Sequence, residues 1–372
     1  MKPLYKILLI ILAVILLAAS AYFVWWLFLE EPTPEVPGAS STLPGGTTSR
    51  PNSTSTTPNS GISISSPRAI SDHTAFDYWL VPETGEVYYL TPEGHVYAVK
   101  EGPDLEISRQ TITALNRVEP SPDGRRLLVS FGNPTAPQWV LFDTVDSVWR
   151  PLPSQITNAG WGRTSSELIA SVTSGNDMNL SFVDITKTPP IYTVLVRNFR
   201  MEDVIFSTLD GGDVLITERA SANFEGRVWR INPDSRVLTL ALAGTKGRTV
   251  KIVKGENVSY LGSTDGFSIA DRTLQNASLL FFNTLPDKCA AAASTTYCFA
   301  PRNLGTNTSI PDDYFMRKFY SVDSLYSIAH PSGALRALIF GEGTFDASRV
   351  RAEKNAVYFL DRYTNKLYEL KL

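Results

Sequence analysis

The sequence predicts an all-β chain folded as a seven-bladed β-propeller, and three observations carry that prediction. A short apolar pattern that follows a turn returns seven times: VYYLTP from Val87, LLVSFG from Leu127, LIASVT from Leu168, VLITER from Val214, VSYLGS from Val258, YCFAPR from Tyr297 and VYFLDR from Val357. Successive starts lie 40, 41, 46, 44, 39 and 60 residues apart, so five of six spacings match the period of a four-stranded blade and the last implies an insertion. After the N-terminus no long stretch keeps a helical period. Six or eight blades, or a β-sandwich with the same turns, are the alternatives; a sandwich does not demand so regular a repeat.

The chain begins with Lys2 and Lys6, followed by an uncharged apolar run over 7–29. Its 23 residues are enough to cross a bilayer core of about 30 Å as one transmembrane helix. A cleaved signal peptide is the rival reading, since Ala19, Ser20 and Ala21 have the small-x-small form of a cleavage site. Trp25 and Trp26 instead suit the outer interface of a retained span, and the two lysines before it against Glu30 and Glu31 after it put residues 1–6 in the cytoplasm. The expected location is the cell membrane, single-pass, with everything beyond the span extracytoplasmic. Residues 30–67 are rich in Pro, Ser, Thr and Gly, with too little apolar surface to offset the entropy of ordering, and read as a disordered linker. Sequons stand at Asn52, Asn179, Asn257, Asn276 and Asn307.

Residues 68–372 read as one propeller domain, because the repeat runs through them without a break. Each repeated strand has a return strand: HVYAVK, WVLFDT, LSFVDI, VWRIN, FSIAD, LYSIAH and LYELKL. Many alternate apolar with polar or small side chains, so each has one face to bury. A further strand, such as 237–242 or 279–282, completes the blade on its outside. The last blade supplies three strands near 349–353, 357–361 and 367–370, so its outer strand must come from elsewhere if no sheet edge is to be left open. The alternating stretch 62–65 is expected to fill that place, or else it ends the linker.

Lys and Arg number 34 against 37 Asp and Glu, a net charge of -3, which argues against a nucleic-acid partner. The three histidines, His73, His95 and His330, are scattered, and no Cys/His cluster has zinc spacing, so no metal and no cofactor are expected. No G-x-S-x-G elbow is present. Asp312 and Asp313 are adjacent acids on a loop, a pattern more often solvated than glycosidic. Ser121, Pro122, Asp123 and Gly124 form a tight turn whose role is structural. Cys289 and Cys298 are symmetric about the junction of Ala293 and Ser294, so a hairpin turning there sets them opposite each other and allows a disulfide; two buried thiols are the alternative.

The Ser-Pro-Asp-Gly turn before an apolar strand, in blades of about 40 residues, resembles the TolB-type branch of the WD-repeat-like propellers. The C-terminal part, with Lys288, Cys289, Tyr297, Cys298, Pro311, Asp312, Asp313 and the ending Leu367, Tyr368, Glu369, Leu370, is similar to bacterial, single-pass, extracytoplasmic propellers. The likeness covers the whole globular part, but one blade alone keeps the full turn: the third has Gly162 to Ser165 and the fourth Leu209 to Gly212 at that place. The resemblance implies action by protein contact, as in TolB; related propellers on peptidases sit beside a hydrolase domain, and no hydrolase motif accompanies these blades.

The expected function is a membrane-tethered binding scaffold for a protein or glycan partner at the cell envelope, with a glycan hydrolase or lyase using acidic and aromatic loop residues as the alternative. The Ser-x-Asp-x-Gly-x-Thr-Trp box of sialidase-type propellers is absent, which lowers that alternative. Loops from second to third strand and from outer strand to the next blade share one face. The insertion over 302–323 therefore projects there, bringing Arg302, Tyr314, Phe315, Arg317 and Lys318, and the loop over 218–226 adds Arg219 and Phe224. These residue types are enriched at interface hot spots. The competing expectation is that the aromatics fold inward and plug the central channel.

Overall fold

The computed structural model describes residues 59–372 except 254, 303, 306, 307, 341 and 342. The apolar run 7–29 and the linker before residue 59 lie outside the described residues, among which no helix is long and apolar enough to cross a membrane. Seven sheets follow one another in chain order, five of them built wholly from four consecutive antiparallel strands and the last two completed by strands from the N-terminal segment, so the fold is a seven-bladed propeller. All seven repeated patterns are the second strand of a blade: Val87–Leu90, Arg126–Phe131, Glu167–Ser174, Val214–Glu218, Ser259–Ser263, Thr295–Pro301 and Ala356–Asp361. The return strands are the third, from Val96–Ala98 in blade 1 to Lys366–Lys371 in blade 7.

The reason the second strands carry the strongest signal is burial on both faces. Leu168, Ile169 and Ala170 in blade 3 are successive residues with no exposed surface, because one blade packs on each side of them. One apolar cluster joins Leu128 and Trp139 of blade 2 to Trp161 and Leu168 of blade 3, and another joins Ile169 and Phe182 of blade 3 to Phe206 and Ile216 of blade 4. Outer strands lose the pattern, as in Ile191–Val196, where five of six residues are exposed or half-buried.

The ring is closed by the N-terminal segment, though not by the residues expected. Arg68–Ala69 forms the outer strand of blade 7, with Arg68 opposite Glu369 and Ala69 opposite Tyr368. The stretch 62–65, predicted to fill that place, is corrected to a different sheet. Its residues Ile62, Ser63 and Ile64 pair in parallel with Leu338, Ile339 and Phe340, so Asn59–Ile64 is a fifth strand on blade 6. Alternation alone states that a strand has a face to bury, and both edges offered one; the three residues between Ile64 and Arg68 let the chain use both.

The Ser121 turn joins the first two strands of blade 2 as expected. Gly124 takes φ 70° and its N–H donates to the Ser121 carbonyl over 2.9 Å, while Ser121 Oγ meets Asp123 Oδ1 at 2.5 Å. In blade 6 the inner strand Cys289–Ala292 returns through Ala293, at φ 52°, into Thr295–Pro301, and Cys289 stands directly opposite Cys298. Their Cα atoms are 4.2 Å apart and the sulfurs are bonded, so the predicted disulfide is present.

Candidate functional site

The strand directions put the 302–322 insertion, the 219–224 loop of blade 4 and the 362–365 loop of blade 7 on one face, and side-chain contacts join them there. Asp312, at the start of the helix Asp312–Phe315, accepts hydrogen bonds from Ser221 Oγ and Ala222 N, each at 3.0 Å. From the same helix Tyr314 donates its hydroxyl to the carbonyl of Ala347, on the inner strand of blade 7, over 3.4 Å. Blades 4 and 7 are as far apart as a ring of seven allows. A segment that starts in blade 6 and touches both therefore lies across the propeller axis as a cap.

Beneath the cap is a buried ionic cluster. Lys288 has no exposed side-chain surface and donates to Asp323 Oδ2 at 2.7 Å, Asp346 Oδ1 at 2.6 Å and Ser321 Oγ at 3.0 Å. Arg362 completes it, donating to Asp346 Oδ2 at 2.8 Å and to the carbonyls of Phe319 and Tyr314 at 3.1 and 2.8 Å. Two cations thus face two carboxylates away from water, a balance that such burial requires. Burial still raises the Asp323 carboxyl, against the opposing pull of Lys288. The Arg362 guanidinium lies between two rings, 3.9 Å from the centroid of Tyr314 and 4.8 Å from that of Tyr320. Tyr320 in turn stacks on Tyr363 with centroids 5.6 Å apart, and Tyr363 donates its hydroxyl to the Ser321 carbonyl.

Deeper along the axis, the inner strand of blade 6 has only alanines after Cys289, and Lys251 of blade 5 reaches into the space they leave. Its ammonium donates to the carbonyls of Cys289 and Val350 at 2.7 and 2.8 Å. Burial lowers that ammonium to about 8, with Asp287 opposing the shift and Arg351 adding to it. Arg349 on blade 7 pairs with Asp77 on blade 1.

The predicted site residues divide between the two roles weighed for them. Tyr314 is 5 % exposed, so it plugs the channel rather than meeting a partner, and burial drives its hydroxyl far above the phenol range. Phe315 is 55 % exposed on the outer side of the same helix, Arg317 and Lys318 just after it are exposed, and Arg302 is exposed at the start of the insertion. Phe224 is bare at 75 %, whereas Arg219 is exposed but ion-paired with Asp203 at 2.9 Å. Asp312 and Asp313 are not poised as an acid pair: the first holds the blade 4 loop and the second accepts the Ser309 N–H at 2.8 Å. Sequence reasoning missed Lys288 as a buried ion and missed Asp323, Asp346 and Arg362 altogether. They come from four separate stretches of chain, so no spacing announces them.

With the geometry in hand, the solved structures similar to this chain show the fold. The β-propeller domain of Cps50 (Swd1) from Myceliophteria thermophila is 12% identical, with a TM-score of 0.54 over 82% of this chain and 99% of that one. The RRP9 WD40 repeats are 10% identical, with a TM-score of 0.53 over 83% of this chain and 98% of theirs. The tricorn protease is 9% identical, with a TM-score of 0.53 over 83% of this chain but 34% of its own. The structural neighbours of this propeller therefore include WD40-repeat propellers. No protein-family description and no curated sequence matches the chain.

Proposed function

We propose that this protein is a membrane-tethered, extracytoplasmic propeller of the TolB-like kind, and that it acts as a binding scaffold engaging a protein or glycan partner at the cell envelope through its capped face. The observation that carries the reading is the cap. A 21-residue insertion is laid across the axis, its inward side fixed by hydrogen bonds and its outward side left with Phe315, Arg317 and Lys318 exposed. Aromatic and basic residues on a rigid support are the composition of interface hot spots. WD40-repeat propellers among the structural neighbours support an interaction role, and the run 7–29 with its flanking charges supports the tether. The fifth strand, parallel to the outer strand of blade 6, begins at the face opposite the cap, so attachment at Asn59 leaves the cap unobstructed.

The test is site-specific photo-crosslinking in the source cells. A crosslinker at Phe315 is expected to yield a discrete adduct, and one at Val145, 72 % exposed on a turn of the opposite face, none. Equal adducts from both positions, or from neither, would remove the capped face as the binding surface. Protease added to intact cells or spheroplasts is expected to release the propeller by cutting within 33–66, and a protected propeller would refute the tether.

A further inference from the structure

The capped face carries three cations without counter-ions and an aromatic pair held in place from below. Among the described residues Arg302, Arg317 and Lys318 make no ion pair: Arg302 Nε donates to Ser324 Oγ at 3.1 Å, and Arg317 to Asn365 Oδ1 at 3.3 Å. The acids that could have neutralised them are committed elsewhere, Asp312 to the blade 4 loop and Asp313 to its own turn. The chain as a whole is net -3, so this local excess of positive charge runs against its overall balance.

The same loops expose apolar surface. Phe315 and Met316 are each 55 % exposed, and Tyr320 and Tyr363 stand out at 40 and 48 %. The two tyrosines are not loose, because Arg362 fills the space under Tyr320 and is pinned by Asp346, while the Tyr363 hydroxyl is held by the Ser321 carbonyl. A stacked pair fixed in this way loses little rotamer freedom when a partner covers it.

We infer that the partner is an acidic protein segment carrying an aromatic or aliphatic anchor, whose carboxylates meet Arg302, Arg317 and Lys318 while its anchor packs on Phe315, Met316 and the Tyr320–Tyr363 pair. This rests on the capped face being the binding surface. Charge complementarity chooses the acidic segment, since its negative charge is attracted to unpaired cations and repelled by the rest of this acidic chain. An acidic segment without an anchor would leave the aromatic pair in water, and an apolar one without acids would bury the cations unpaired.

Selection of random 12-residue peptides displayed on phage, against the immobilised full-length chain, tests this. The expected result is enrichment of sequences that combine Asp or Glu with Phe, Trp, Tyr or Leu. Their synthetic forms should bind about tenfold more weakly to Arg317→Glu/Lys318→Glu, as two partly screened charge contacts imply, and more weakly as salt is raised. Arg125→Glu, a surface change on the opposite face, should leave the affinity unchanged, and equal melting temperatures would confirm that the variants fold. Enrichment of basic or neutral peptides whose binding is lost in Phe315→Ala would keep the capped face and overturn the acidic partner. Selected peptides that bind Phe315→Ala and the charge-reversed chain as tightly as wild type would overturn the face itself. Stronger binding to phosphatidylserine vesicles or to a single-stranded oligonucleotide than to any selected peptide would also overturn it, since either would mean that the cations recognise a membrane or a nucleic acid.

Discussion

Replacing Lys288 by Met is the most direct test of what holds the cap down. The ammonium sits between Asp323 and Asp346 at 2.7 and 2.6 Å with no exposed surface, so its loss leaves two buried carboxylates sharing one remaining cation, Arg362. Breaking a buried ion pair by removing one partner costs about 3–5 kcal/mol. For a domain of roughly 300 residues, with an unfolding entropy of about 2 cal/mol/K per residue, that becomes a fall in melting temperature of about 5–8 °C. The sign of the pH dependence follows from Asp323. Burial already raises its carboxyl, and without Lys288 the rise grows, so the folded variant holds that proton more tightly than the unfolded chain. Stability of that kind is present at low pH and lost as pH rises through the raised value. The deficit relative to wild type should therefore be smaller at about pH 5 than at about pH 7.5. Adding Asp323→Asn removes the unpaired charge, keeps an acceptor for the Ala347 N–H that donates to Asp323 at 2.9 Å, and should recover about half of the loss. Scanning calorimetry across that pH range measures all three. A loss below about 1 kcal/mol, or a deficit that does not change with pH, would refute the account of a buried, mutually dependent cluster.

Two further outcomes are expected. Intact mass after alkylation of the unfolded, unreduced protein should show no labelled cysteine, and the Cys289→Ala/Cys298→Ala variant should lose roughly 2.7 kcal/mol on the chain-entropy scale for so short a loop; two labelled thiols would exclude the bond. Truncation through Ser66 removes the apolar run, the linker and, of the propeller, only the fifth strand, and should leave a monomer, whereas truncation through Ile70 also strips the outer strand of blade 7 and should cause association in light scattering and a lower melting temperature; identical behaviour of the two would contradict the closure described above.

The parts of the fold legible in sequence were those in which burial is symmetric. A second strand such as Leu168 to Val172 is covered on both faces, so its apolar run survives any drift in neighbouring loops, and all seven such runs identify the same strand of their blades. Outer strands were harder to read because solvent covers one side and lets the composition vary, as the exposed Ile191 and Tyr192 show. The closing strand is only two residues long, Arg68–Ala69, and two residues carry no periodicity. The sequence carries a further signal at the end of the third strands. Asp143, Asp184, Asn232 and Asp271 each accept an N–H from two residues on and so start the outer turn of blades 2 to 5. The candidate site was half legible. The insertion and its face followed from strand counting, but which way Tyr314 pointed depended on Lys288, Asp346 and Arg362, which meet only after the ring has closed.

Blade 6 carries the insertion, the disulfide and a fifth strand, and these departures from the regular repeat have one mechanical sense. A long insertion tends to loosen the two strands it joins, because its conformational freedom acts on both ends. Here the departing strand is bonded to the inner one through Cys298, three residues before it ends, and the returning strand begins at Asp323, held by Lys288. Outside them the blade is widened by the fifth strand, which pairs with Leu335–Phe340 and covers an edge that the other blades leave open among the described residues. Ser321, the last turn of the insertion, is locked between Asp323 and Asp346 at 2.7 and 3.0 Å. A loop needed only to connect two strands would be shorter, and one needed only to move would not be fastened at its base, its middle and its exit. Fastening at all three points, with Phe315, Arg317 and Lys318 left bare, is the arrangement expected of a rigid surface that meets another molecule with little loss of entropy.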